Sequence, residues 1–259
     1  MSASPMPTLF ISHGSPMNAI EDTVFSRDWQ ALAAPVPRPR CILSISAHWV
    51  TRGIMLTRNA APATIHDFGG FPPALYEQQY PAPGAPDFAA DLARSLGARL
   101  TDDWGLDHGT WSVLRHLYPA ADIPVVQLSL DGNLPHYEDH VALARQITPL
   151  REEGVLILGS GGIIHNIPYW LRHGHDPSLW EWALDFDAAS VTALQAGDLD
   201  TLCALPITHP YGARAVPTPE HYLPMLYAAA LRRPGEPITL SRFEPEDFST
   251  ASMRSFRIG

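Results

Sequence analysis

Twelve histidines stand in a chain of 259 residues, and four of them fall where rigid elements end. His13 follows the apolar run Thr8–Ser12, His48 closes the run that begins at Cys41, and His165 comes just past Val155–Leu158 and its glycines. His221 lies beside Glu220 in what the spacing reads as the first turn of a helix. Neutral imidazoles held on rigid elements can coordinate zinc or ferrous iron, with geometry selecting the metal more than raw affinity does. One histidine in such a place is more often a hydrogen-bonded structural residue, so the argument rests on four occurring together. His108, between Asp107 and Gly109, reads equally well as an acid/base or substrate-polarising group and as a loop histidine bonded to backbone.

Other motifs carry less. His136 and His140 are four apart on one helix face, but Tyr137 stands where a helical zinc site has its glutamate, so a solvated face is the simpler reading. Gly159-Ser160-Gly161-Gly162 has no following Lys-Ser/Thr and no dinucleotide spacing. Neither Ser15 nor Ser160 sits in a nucleophile elbow. His116, His173, His175 and His209 have no context that calls for chemistry.

The elements that must position these residues follow from hydrophobic patterning. Val155, Leu156, Ile157 and Leu158 form a continuous apolar run, as expected of a strand buried on both faces of an α/β sheet. Gly159, Gly161 and Gly162 break that strand and let backbone or ligand approach closely. Thr8–Ser12 and Cys41–His48 have the same layout, and open α/β sheets place their chemistry at the carboxyl ends of such strands. Further strands are expected at Ile54–Thr57, Pro124–Leu130, Ile238–Phe243 and Met253–Ile258. Helices are expected within 22–39, over Asp87–Leu100, Ser112–Tyr118, Tyr137–Leu150 and Leu179–Leu194, and from a Thr218 cap to about Leu231. Prolines 62, 72, 73, 81, 83 and 86, with Gly69, Gly70 and Gly84, exclude a regular helix from most of Ala60–Pro86. That long aromatic-rich loop reads as a site lid. No repeat or linker divides the chain, so residues 1–259 are expected to form a single α/β domain.

A formal charge of −10, with 17 basic residues and no run of them, argues against a nucleic-acid partner. Hydrophobic residues at 46% and charged residues at 17% describe an ordinary folded domain. Cys41 and Cys203 are too few for a disulfide framework and read as buried thiols. The first residues lack a basic segment and a long apolar core, and no stretch approaches the ~20 apolar residues of a membrane helix. The expected location is cytoplasmic, with no membrane partner; oligomeric state leaves no mark in the sequence.

Six motifs then fall in one order: His13-Gly14-Ser15-Pro16, Ser46-Ala47-His48-Trp49, Ile65-His66-Asp67-Phe68-Gly69-Gly70-Phe71-Pro72, Asp107-His108-Gly109, Gly159-Ser160-Gly161 with His165-Asn166, and Pro219-Glu220-His221-Tyr222-Leu223-Pro224. In this arrangement, from about residue 7 onward, the chain resembles the class III extradiol ring-cleavage dioxygenases, in the DOPA 4,5-dioxygenase subgroup of the LigB-like superfamily. The resemblance implies a central mixed β-sheet flanked by helices, with one divalent metal per chain in a cleft at the strand ends. It implies metal ligation by His13, His48 and His221, with Glu220 a rival for the third place. His165 is implied as a fourth ligand or as the acid/base residue, and His108 as a catalytic or supporting one. The substrates implied are DOPA or a related catechol and O2, with Fe(II) expected for turnover and zinc an acceptable occupant. His66, Phe71, Tyr76 and Trp49 are expected to line the substrate space, from their place beside site motifs. A zinc-dependent hydrolase on the same histidines and a binding protein without turnover are the competing readings.

Overall fold

Four apolar runs build the parallel centre of one sheet: β1 (Thr8–Ser12), β2 (Cys41–Thr51), β5 (Val125–Asp131) and β6 (Val155–Gly161). They lie in the order β5-β2-β6-β1, all parallel. β3 (Met55–Thr57) pairs antiparallel with β5 and parallel with β4 (Arg99–Thr101) at one edge. At the other edge β8 (Phe256–Ile258) runs antiparallel to β1, and β7 (Ile238–Leu240) antiparallel to β8. The sheet is therefore mixed, as the resemblance implied. The computed structural model describes residues 4–174, 181–241 and 252–259. His175, Leu179, Trp180, Phe243 and the last residues expected of the β7 strand lie outside the described residues.

Strand alternation divides the core into two layers. Phe10, Leu43, Ile45, Val126, Leu128 and Ile157 point to one side. There they meet α3 (Pro86–Leu96), α5 (Tyr137–Gln146), α7 (Glu181–Ala196), α8 (Leu199–Thr208) and α10 (Leu223–Ala230). Leu9, Ile11, Ile42, Leu156 and Leu158 point to the other, against α1 (Val24–Ala33) and α4 (His108–Leu117). Each such fully buried aliphatic side chain contributes roughly 2 kcal/mol, which is why the central runs are apolar throughout rather than alternating. On α7, buried Asp187 accepts from Ser252 Oγ at 2.7 Å and from the Arg254 guanidinium at 2.6 Å, which anchors the approach to β8. Both cysteines are buried and unpaired with each other. No helix among the described residues is long and apolar enough to cross a membrane.

Several boundaries differ from the sequence expectation, for reasons that bear on the site. β2 does not stop at His48 but runs on to Thr51, with its register against β5 shifting between Ile45 and Val50. Such bulges re-aim side chains, and this one lies beside His48. α4 starts at His108 rather than Ser112, because Asp107 caps it: Thr110 N–H donates to Asp107 Oδ1 at 3.1 Å. The expected helix from Thr218 begins only at Leu223, and residues 217–222 form turns that carry His221. α2 (Pro73–Tyr76) interrupts the proline-rich loop, and α6 (Ile167–His173) and α9 (Gly212–Ala215) occupy stretches the patterning left blank.

The glycines of β6 act differently from the expectation too. The strand continues through Gly159 and Gly161 instead of breaking. A Cβ at Gly159 would come within 2.3 Å of the Pro224 carbonyl oxygen, and one at Gly161 within 2.2 Å of the His221 carbonyl oxygen. Missing side chains thus let the turn bearing His221 lie directly on the strand, where Gly162 N–H donates to His221 O at 2.8 Å. Gly161→Ala is expected to lift that turn, costing about 1–3 kcal/mol of stability in a thermal melt. Metal affinity should weaken with it; a variant with wild-type metal titration would show that the close approach is dispensable.

Candidate active site

β2, β6 and β1 are neighbours, so their carboxyl ends bring distant histidines to one place. His13 Nε2 lies 3.0 Å from His48 Nε2. One nitrogen each from His13, His48 and His221 falls within 4.8 Å of the others. The hydrogen bonds fix which nitrogen faces inward. Ser160 Oγ spends its single proton on Gly109 O at 2.5 Å, so it accepts from His13 Nδ1–H at 2.9 Å. His48 Nδ1 faces Asp67 Oδ2 at 3.4 Å, and His221 Nδ1 donates to Glu220 Oε1 at 3.3 Å. All three rings are held by their Nδ1 side, and their unprotonated Nε2 atoms converge.

That convergence is unfavourable without a cation. Two acceptor nitrogens face each other across 3.0 Å, and His221 Nε2 is buried with no hydrogen-bond partner. Imidazole–metal bonds of about 2.0–2.1 Å place adjacent ligand nitrogens about 3 Å apart, so the residues present fit a divalent metal. Each Nδ1 backed by a carboxylate or hydroxyl is the support a metal-binding imidazole needs for its tautomer and orientation. Burial, then the neighbouring histidines, holds His13 and His48 well below the usual imidazole range, which keeps them neutral and able to coordinate. Burial opposes the charge on Glu220, but hydrogen bonds from His221 and Thr218 outweigh it and bring the carboxyl to about 2.

His165 falls outside this trio, although one of its ring nitrogens lies within 4.8 Å of donor atoms of Glu220 and His221. Its ring stacks on His221 with centroids 3.4 Å apart and planes 5° from parallel. Its backbone N–H donates to Ala215 O on α9 at 2.9 Å, and its ring lines the cleft. Burial and then His221, opposed by Glu220, push its pKa down to about 3, so the ring is neutral at rest. His108, at the start of α4, lines the opposite wall with its ring centroid 3.9 Å from that of His48. The carboxylate beside it is Asp67, with Oδ1 3.0 Å from His108 Nδ1, and not the expected Asp107. Asp107 turns into the core, where it accepts from Ser46 Oγ and Gln127 Nε2, each at 2.7 Å.

The histidines open into a cleft of about 500 Å3 whose walls include Phe68, Phe71, Ile167 and Trp170. A planar aromatic ring suits such walls, with imidazoles at its base. Among known proteins, the family described as the catalytic LigB subunit of aromatic ring-opening dioxygenase matches residues 7–240. The chain belongs to that family. It is an extradiol ring-opening dioxygenase by descent, and no observation favours the zinc hydrolase reading. The "4,5-DOPA dioxygenase extradiol" of Escherichia coli K12 is 44% identical, over 100% of this chain and 97% of that protein. The protein of the same name from Beta vulgaris is 38% identical over 84% of each chain. The crystal structure of an uncharacterized protein from Escherichia coli K12 superposes with a TM-score of 0.80 at 37% identity, covering 98% of this chain and 100% of that one.

Against this LigB-family cleft, the expected substrate contacts separate. Phe71 lines it. Trp49 does not: it follows His48 on a strand, so it points to the opposite side, where it stacks on Trp104 with centroids 5.7 Å apart. His66 lies behind Phe68, its Nε2 3.0 Å from Gln78 O and its ring against Trp111. Tyr76 packs on Phe68 in the same layer. Phe68, Ile167 and Trp170 are the walls that patterning missed. Asn166 capping α6 with Pro168 in its first turn was the available signal for two of them. His136 is exposed as expected, but His140 is buried against Tyr227 OH at 3.2 Å, so the pair does not share a solvated face.

Proposed function

We propose that the chain cleaves the ring of DOPA or a closely related substituted catechol, next to the two hydroxyls rather than between them. Ferrous iron is the metal, held by His13, His48 and His221. The carrying observation is that ring nitrogens of His13, His48 and His221 lie within 4.8 Å of one another beside an aromatic-walled cleft. The names of the relatives supply the substrate class. Bound ferrous iron supplies open positions and the redox contact between catechol and O2 that zinc, which does not change oxidation state, lacks.

The rest of the work belongs to side chains. Phe68, Phe71, Ile167 and Trp170 clamp the ring and exclude water, which makes the encounter of catechol and O2 an ordered one. His165, neutral and facing the cleft, accepts the proton of a catechol hydroxyl and later returns it. His108, its Nδ1 side turned to Asp67, presents Nε2 to the substrate from the other wall and holds a hydrogen bond to its oxygen.

Protein reconstituted anaerobically with Fe(II) and then given DOPA in air is expected to consume O2 in step with a new visible-absorbing product. A zinc-loaded control should do neither. No uptake across DOPA, catechol and protocatechuate, with metal bound, would sink the reading and leave a binding protein without turnover.

A further inference from the structure

The proline-rich loop reaches the site with a single carboxylate. Asp67 Oδ1 accepts from the His108 backbone N–H at 2.8 Å and lies 3.0 Å from His108 Nδ1. Its other oxygen, Oδ2, lies 3.4 Å from His48 Nδ1. The two histidines come from β2 and from α4, which have no covalent closeness, and the same loop continues directly into the wall residue Phe68. Gly109 completes the junction: a Cβ there would lie 2.6 Å from Ser46 Oγ and 3.1 Å from His48 Cδ2. α4 therefore packs tightly on β2 beside the point where Asp67 spans them.

His48, Asp67 and His108 could also be taken for a cation site of their own. The atoms facing the carboxylate argue otherwise. They are Nδ1 atoms and a backbone N–H, and protonation of His48 Nδ1 is what leaves Nε2 for the converging trio. The carboxylate accepts the His108 backbone N–H and faces the two Nδ1 atoms at ion-pair distance, the place of a supporting group and not of a ligand.

We propose that Asp67 is a positioning residue whose two oxygens separately fix the tautomer and orientation of the metal-binding His48 and the seat of His108 on α4. This rests on the ligand set and activity proposed above. It makes the aromatic wall, one ligand and one catalytic side chain parts of a single mechanical unit, so that the loop does more than cover the cleft.

Asp67→Asn tests it. The amide oxygen can still accept from His108 N–H, but its NH2 then meets His48 Nδ1–H donor to donor, favouring the tautomer that protonates Nε2. Metal affinity, read by chelator competition with Zn(II) and with Fe(II), is expected to fall about 10–100-fold while the melting temperature of the metal-free protein stays near wild type. At saturating iron, kcat should still fall about tenfold with KM for the catechol nearly kept, because a neutral amide oxygen holds His108 more weakly than the carboxylate does. Added to His108→Gln, Asp67→Asn should cost little further kcat. Asp67→Ala, which removes both acceptors without adding a donor, serves if the amide variant does not fold, and it too must lose metal affinity.

A folded variant with wild-type metal affinity overturns the proposal. So does a loss of affinity with kcat unchanged at saturating iron, since one half of the bridge would then be idle. Wild-type protein that binds metal but opens no catechol ring would instead overturn the activity reading. The chelator titration would still report on the link from Asp67 to His48.

Discussion

His165→Gln is expected to lower kcat for ring opening by about a thousandfold, within the range for removal of a general acid/base, while metal content and catechol binding persist. The reasoning is geometric. His165 stacks on the face of His221 and lies outside the proposed set of His13, His48 and His221, so its removal leaves that set complete. It lines the cleft where a catechol would sit, and its imidazole is neutral at rest. Glutamine keeps polarity and approximate size but cannot accept and return a proton near neutral pH. Metal per chain after dialysis, an anaerobic optical titration with catechol, and steady-state O2 uptake separate the cases. Loss of metal in step with activity would make His165 a fourth ligand. Near-normal turnover with metal retained would move the acid/base role to His108, whose own glutamine variant should be measured alongside.

Much of this site was legible because its anchors obey local rules. His13 and His165 follow short apolar runs of the kind buried parallel strands have, and glycines next to them announce close backbone approach. What could not be read was which strands are neighbours: the β2-β6-β1 order that unites His13, His48 and His165 is a tertiary fact. Trp49 was misplaced because β2 was ended three residues too soon, at His48; once the strand runs through Trp49, period-two alternation sends it away from His48. Asp67 was visible only as part of a motif, since nothing local says that a carboxylate in a proline-rich loop will lie between a strand and a helix. The start of α4 was hidden by Gly109, a poor helix former required there by contact with Ser46 and His48 rather than by propensity. α8 was missed partly because Pro206 lies inside it.

The third ligand, His221 or its rival Glu220, decides whether the donor set is three imidazoles or two imidazoles and a carboxylate. His221→Ala is expected to weaken metal binding by more than about a hundredfold, since it removes one of three ligands, and to abolish turnover at any attainable Fe(II). Glu220→Gln is expected to weaken it only about 10–100-fold, with activity recovered at high metal, because that residue acts through His221 Nδ1. The asymmetry follows from the atoms. His221 Nε2 is buried and without a hydrogen-bond partner, whereas Glu220 Oε1 is already engaged by His221 and by the Thr218 hydroxyl at 2.7 Å. If Glu220 took the place of His221 through its other oxygen, His221 would keep a buried, unsatisfied nitrogen. Chelator competition on the two variants reads the order directly. If Glu220→Gln proves the more damaging and His221→Ala retains metal, the ligand is the carboxylate, and the turn over residues 217–222 must rearrange when metal binds.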